Sequence, residues 1–275
     1  MNKDSKKRKS KLNQSSVLGI TLLGKVLLLS ILINSLFAFS SCKSKKSYTE
    51  GLIYKELEDG TYGVESAGLA KAEEEIYIPK MYKGKQVTAI LATAFTKCDL
   101  RFVAIPDSVT SIGAAAFLEC PNLSTIDLPK SVKIGSYAFS RCPKILTVLV
   151  DHAEIGEGAF MQCTGIFSVK IKSGSIGDSA FTECTDLEDV ELLDGVKEID
   201  KRAFWGCSSL STVQIPKSIA EISMLPYLNC KIRKIIYNGS KAEFEAALDK
   251  SSISSLKTVC TVYCSDGNIT LDSGR

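Results

Sequence analysis

"SIGAAAFLEC", residues 111–120, decides the fold because the chain says it again and again. Near copies stand at 89–98 ("AILATAFTKC"), 133–142 ("KIGSYAFSRC"), 154–163 ("EIGEGAFMQC"), 175–184 ("SIGDSAFTEC") and 198–207 ("EIDKRAFWGC"), and a worn one at 221–230 ("EISMLPYLNC"). Aligned on their aromatic residue, they place Phe95, Phe117, Phe139, Phe160, Phe181, Phe204 and Tyr227 at spacings of 22, 22, 21, 21, 23 and 23. A cysteine follows each aromatic by three positions: Cys98, Cys120, Cys142, Cys163, Cys184, Cys207 and Cys230. Self-similarity at a fixed period of roughly 20–50 residues marks a solenoid or an array.

Each cysteine opens a second phrase, as in "CPNLSTIDLP" (120–129), "CPKILTVLVD" (142–151) and "CSSLSTVQIP" (207–216). Leu123, Ile126 and Leu128, or Leu210, Val213 and Ile215, give an "LxxIxL" frame whose last three positions alternate in, out, in, as a short strand does. No single coil can bury its own apolar face, so the buried set must recur at fixed places. In the quoted stretch Ile112 starts the inward set and Gly113 is expected to bend the backbone at a positive φ. Ala116 permits close approach, Phe117 fills the interior, and Cys120 points the same way one helical turn later.

A period near 22 with this frame is the leucine-rich-repeat signature. Its details, "IGxxAFxxC" and then "LxxIxLP", resemble the BspA-like family of bacterial surface leucine-rich repeats over roughly residues 53 to 270. The expected fold is a leucine-rich-repeat solenoid, β-rich, with a short strand plus a helical or 3-10 turn per repeat. About seven repeats of 21–23 residues over 87–239 lie between an N-terminal cap at 51–86 and a C-terminal cap at 240–275. In the first cap "IYKELEDGTYGVES" reads as a hairpin turning at Asp59 and Gly60. In the second, Ser240 and Glu243 stand in capping-box spacing ahead of a helix, and a hairpin follows around Asp266 and Gly267.

Residues 1–41 carry seven basic residues against one acid, then an apolar core and small residues before Cys42, the pattern of a secretory signal. Cys42, after "FSS", looks like the lipid-acceptor cysteine of a bacterial lipoprotein, with Phe39 where Leu is usual; an uncleaved anchor and plain secretion remain alternatives. Residues 42–50 would be a polar tether. Without 1–41, 27 basic and 30 acidic residues remain, so the formal charge falls from +3 to −3 and nucleic acid is not an expected partner. At 45% hydrophobic and 24% charged, the chain is no polytopic membrane protein or disordered tail.

The remaining candidates for chemistry read as structure. Single cysteines a coil apart lack the paired spacing of a zinc site and act as small packing groups. Cys260 and Cys264 are too far apart along a strand to bond to each other, although either could pair elsewhere in the C-terminal cap. His152 is the only histidine, so a His-rich metal site is excluded and a catalytic triad would have to use this one loop residue. The run "DLEDVELLDGVKEID" (186–200) lacks the ligand alternation of a calcium loop. No metal, cofactor or catalytic set is therefore expected, and the protein is read as no enzyme.

The outward strand positions then carry the function. They form two columns, Phe102, Thr125, Thr147, Ser168, Asp189, Thr212 and Lys234, and Ala104, Asp127, Leu149, Lys170, Glu191, Gln214 and Ile236. Repeat proteins present such arrays as an extended concave face to macromolecules. The partner-binding candidates are Phe102, Asp127, Leu149, Lys170, Glu191, Gln214 and Ile236, with Phe102, Leu149 and Ile236 as exposed apolar anchors. The family resemblance implies attachment to host matrix proteins or to other bacteria, from a lipid-anchored position on the outer surface of the cell envelope. A periplasm-facing envelope scaffold of the same fold is the alternative.

Overall fold

The computed structural model describes residues 48–272; Cys42 and the signal expected over residues 1–41 lie outside the described residues. Among the described residues no helix is long and apolar enough to cross a membrane. The chain coils as a β-solenoid whose turns are walled on three sides, where the repeat frame alone had suggested one strand per turn.

The first wall is the "LxxIxL" strand. It comprises β3 (Glu75–Tyr77), β6 (Phe102–Ala104) and β8 (Thr125–Asp127), then the first halves of β10 (Thr147–Ile155), β11 (Ser168–Ile176) and β12 (Asp189–Ile199), then β13 (Thr212–Ile215), β14 (Lys234–Tyr237) and β15 (Cys260–Cys264). The second wall comes just before the repeat glycine. It holds β5 (Lys85–Ile90), β7 (Ser111–Ile112), β9 (Ser131–Ile134) and the second halves of β10, β11 and β12. Pairing between coils is parallel in both walls. In the coils of β6 and β8, Pro106 and Pro129 close the first strand and a corner separates the two walls. The coils of β10 and β11 lack that proline and run through as one nine-residue strand each.

The third wall is the "AFxxC" corner, and it differs from the expected helical turn: six of the seven copies are successive tight turns, with a 3-10 helix only at Leu225–Tyr227. Residues two before and two after the aromatic lie in the left-handed region, among them Ala115 (φ 54), Glu119 (φ 57), Tyr137 (φ 56) and Arg141 (φ 58). The cost of this conformation for a residue with a Cβ, about 1–2 kcal/mol, is offset by hydrogen bonds to the next coil. Tyr137 N–H donates to Glu157 O at 2.8 Å, Phe139 N–H to Ala159 O at 2.7 Å and Arg141 N–H to Met161 O at 2.8 Å.

Gly113 and its equivalents therefore do another job. Gly113 is absent from the positive-φ residues, which corrects the expectation of a bend there. A Cβ on it would stand 2.7 Å from the carbonyl carbon of Leu91, and one on Gly135 would stand 2.7 Å from Ala114 N. Glycine permits neighbouring coils to approach backbone to backbone, as Gly113 N–H donates to Ile90 O at 2.7 Å.

Inside the walls the aromatic residues form one continuous stack. Centroid separations grow from 4.9 Å (Phe95 to Phe117) to 5.6 Å (Phe204 to Tyr227), and successive rings lie within 7° of parallel. The cysteines are more than filler. Each thiol from Cys120 to Cys230 donates to the aromatic carbonyl of the preceding coil, at 2.9–3.3 Å. All nine described cysteines are free thiols, Cys260 and Cys264 included. Burial pushes the Cys98 thiol up to about 11 and holds Cys163 and Cys184 well above the ordinary range.

At the N-terminal end, β1 (Ile53–Glu56) and β2 (Tyr62–Ser66) pair antiparallel, and β2 runs parallel to β5. Beside them β4 (Met81–Tyr82) pairs with β5, and Tyr82 stacks on Tyr54 at 4.0 Å. At the other end α1 (Lys241–Ala247) leads into residues 247–249, which take the place of a second-wall strand by a parallel bridge between Ile222 and Leu248: Ile222 N–H donates to Ala247 O, and Asp249 N–H to Ile222 O, each at 2.9 Å. Ser240 and Glu243 form the capping box of α1 and Phe244 is fully buried. β16 (Gly267–Leu271) folds back antiparallel on β15.

Candidate partner-binding face

The candidates stand where neighbouring coils are in exact strand register. One row pairs Thr147, Ser168, Asp189, Thr212 and Lys234 and continues to Thr261. The next pairs Leu149, Lys170, Glu191, Gln214 and Ile236 and continues to Tyr263. Thr261 and Tyr263 were missed because their strand lies beyond the last "AFxxC" copy; the alternation in "CTVYC" was the available signal. Tyr263 is exposed, and the Lys234 ammonium lies 5.0 Å from its ring centroid, within cation–π range.

The two columns are not continuous. Phe102 pairs with Thr125 and Ala104 with Asp127, but among the described residues no ladder joins β8 to β10, so Phe102 and Asp127 belong to a separate three-stranded segment, β3, β6 and β8. Phe102 and Ile236 are half-buried rather than exposed, which corrects their reading as exposed anchors. The Phe102 ring leans on Tyr77, with centroids 5.4 Å apart. Leu149 is the exposed apolar residue of the set, at 59%.

One ion pair lies within the face. The Lys170 ammonium lies 2.8 Å from the Glu191 carboxylate. Desolvation raises the pKa of Asp127, with Asp107 adding to it, and desolvation also raises Asp189, with Glu191 adding to it. Two carboxylates on this face are thus held in surroundings that disfavour their charge.

His152 sits at the junction of the two walls, its Nδ1 2.9 Å from Ser173 Oγ. Ser173 Oγ also donates to the Asp151 carbonyl at 3.0 Å, so this hydroxyl bridges the imidazole and the main chain. Among the described residues no three His, Cys, Asp or Glu side chains converge as a metal site. A shallow groove of about 570 Å³ follows the corner wall to Trp205. Its polar groups satisfy one another: Arg141 donates to Glu119 and Gln162, each at 2.9 Å, and Gln162 donates to Glu183 at 2.8 Å.

The profile of the BspA type leucine-rich repeat region matches residues 74–174 and 150–257, in six copies. The chain belongs to the BspA-type leucine-rich-repeat family. Among solved structures it is similar to a leucine-rich-repeat protein of T. pallidum, with 23% identity over 76% of this chain and 92% of that one and a TM-score of 0.51, a likeness of fold. A leucine-rich-repeat protein from Bacteroides ovatus matches at 20% identity over 69% of this chain and 70% of that one, with a TM-score of 0.39. A leucine rich cell surface protein from Faecalibacterium prausnitzii matches at 18% over 76% and 99%, with a TM-score of 0.31. No curated protein matches the chain. Stacked repeats of this kind offer extended binding surfaces for other proteins.

Proposed function

We propose that this BspA-type protein binds protein partners through the registered first-wall strands, and that it does so from the cell envelope, anchored by a lipid on Cys42, in attachment to host matrix or to other bacteria. The observation that carries the binding reading is the pair of registered rows from β10 to β15, which offer Leu149, Gln214, Ile236 and Tyr263 beside the Lys170–Glu191 pair. Apolar and aromatic groups within a polar field suit a protein interface. The anchoring reading rests on the basic, apolar and small-residue order that ends at Cys42.

The test is protease shaving of intact cells, followed with antibody to residues 90–230 and a periplasmic protein as integrity control. Loss of the repeat signal while the control survives is expected; protection until the envelope is opened would overturn surface display and place the face in the periplasm. In the same cells labelled palmitate is expected to enter the protein and to be absent from Cys42→Ala; no incorporation into the unaltered protein would overturn lipid anchoring.

A further inference from the structure

We propose that the opening between β8 and β10 is a docking slot for an extended acidic segment of a partner protein, which adds as a strand along the edge left free there. This rests on the reading of the first wall as protein-binding and names the kind of partner it takes.

The opening has a structural cause. From Thr125 to Gly135 the chain spans ten positions through the Pro129 corner, whereas from Thr147 to Gly156 it spans nine without a proline. Cornered coils give way to straight ones at this junction, and the ladder that joins β6 to β8 does not continue to β10. The other walls stay closed: β9 pairs with the second half of β10, and Phe139 N–H donates to Ala159 O at 2.7 Å. In the first wall, Ser124 N–H reaches Arg101 O on one side and Phe167 N–H reaches Leu146 O on the other, at 3.0 Å each, while no backbone bond joins Leu146 or Thr147 to Ser124. At the far end of this gap a cavity of about 200 Å³ opens between Leu128–Lys130, just past β8, and Leu149–Asp151 of β10.

What lines it selects the occupant. Leu128, Leu149 and Val150 supply apolar surface, and Lys130, Lys170 and Lys172 bring three ammonium groups. Against them the lining has one carboxylate, Asp151, which pairs with Lys172 at 2.6 Å. Lys170 is paired with Glu191, and Lys130 makes no ion pair among the described residues. A free strand edge pairs with another strand, and side chains of period two set apolar groups on one side and charged ones on the other. An extended segment alternating apolar and acidic residues satisfies the edge, Leu149 and the lysines together.

The probe is a nine-residue peptide alternating glutamate with valine and threonine, added to residues 43–275 and followed by amide hydrogen exchange. Free protein is expected to exchange faster at Leu146–Val150 than at Phe167–Ile171, and the peptide is expected to slow the former. A lysine-for-glutamate peptide, a peptide broken by central proline, and the protein variants Lys130→Glu with Lys172→Glu, or Leu149→Arg, should each weaken binding at least tenfold. These side chains lie at the surface, and unchanged near-ultraviolet circular dichroism establishes that the variants fold. Equal exchange in the two free strands, or equal binding of the three peptides, overturns the slot. A native partner lost on Gln214→Arg with Tyr263→Ala but kept on Lys130→Glu with Lys172→Glu leaves the strand-face reading standing and removes the slot alone.

Discussion

Phe139 is the third of the seven stacked rings, with Phe117 and Phe160 about equally close at 5.0 and 5.1 Å. It is fully buried, so Phe139→Ala should cost about 3–5 kcal/mol, read as a drop in the urea midpoint. Gly135→Ala tests the other half of the repeat logic. The added methyl meets backbone on the next coil, which cannot swing aside as a side chain would, and a loss of about 1–3 kcal/mol is expected. The thiols are next. Eight of the nine described cysteines are buried and Cys264 is partly exposed, so a thiol reagent applied to residues 43–275 should label Cys264 first and the rest only on unfolding. Rapid labelling of several thiols would contradict the closed ladder. The interior was legible because each buried position is stated seven times over. The left-handed residues were not: Tyr137 and Arg141 are ordinary side chains, held at positive φ by hydrogen bonds to a coil whose contact no local pattern encodes.

At the scale of the strand, β12 carries Asp189 against Glu191 in a half-buried row. Its folded pKa is raised above the unfolded value of 3.8, so the native state keeps a proton that the unfolded chain has released. The group's stabilising contribution is full below the unfolded pKa and is lost as pH rises through the folded one. Asp189→Asn should therefore raise stability near neutral pH and flatten the dependence just above pH 3.8, measured as urea midpoints against pH. Asp178 behaves oppositely. Hydrogen bonding to Arg202 depresses its pKa, so its contribution is present above the unfolded value and lost as pH falls through the folded one. The first wall was legible from "LxxIxL", whereas the second was missed because β7 has only two residues, too few for alternation to show. The break between β8 and β10 had a trace in the sequence, the fall from 22 to 21 residues and the exchange of "LPKSV" for "LVDHA", but a one-residue change in period does not say which wall opens.

For the whole molecule, the ends decide whether the stack remains single. β15 covers the edge of β14, β16 covers β15, and the bridge from Leu248, just past α1, to Ile222 closes the last second-wall position. Ending the chain before Ser240 would bare β14 and its buried neighbours Ile235 and Tyr237, and such edges recruit other chains. The shortened protein is expected to elute as oligomers or aggregate in light-scattering chromatography, while residues 43–275 elute as a monomer. The junction at Pro129 has a mechanical meaning as well. It resembles a stacking fault in a crystal, a plane where the period changes and one set of bonds is missing. Everywhere between β10 and β12 a coil is tied to the next by all three walls; at the fault two of the three are tied. If a load is applied between the N-terminal end and a partner gripped on β10 to β12, it crosses this plane, and the molecule should yield there before any junction from β10 to β12, parting as two shorter springs joined by a hinge.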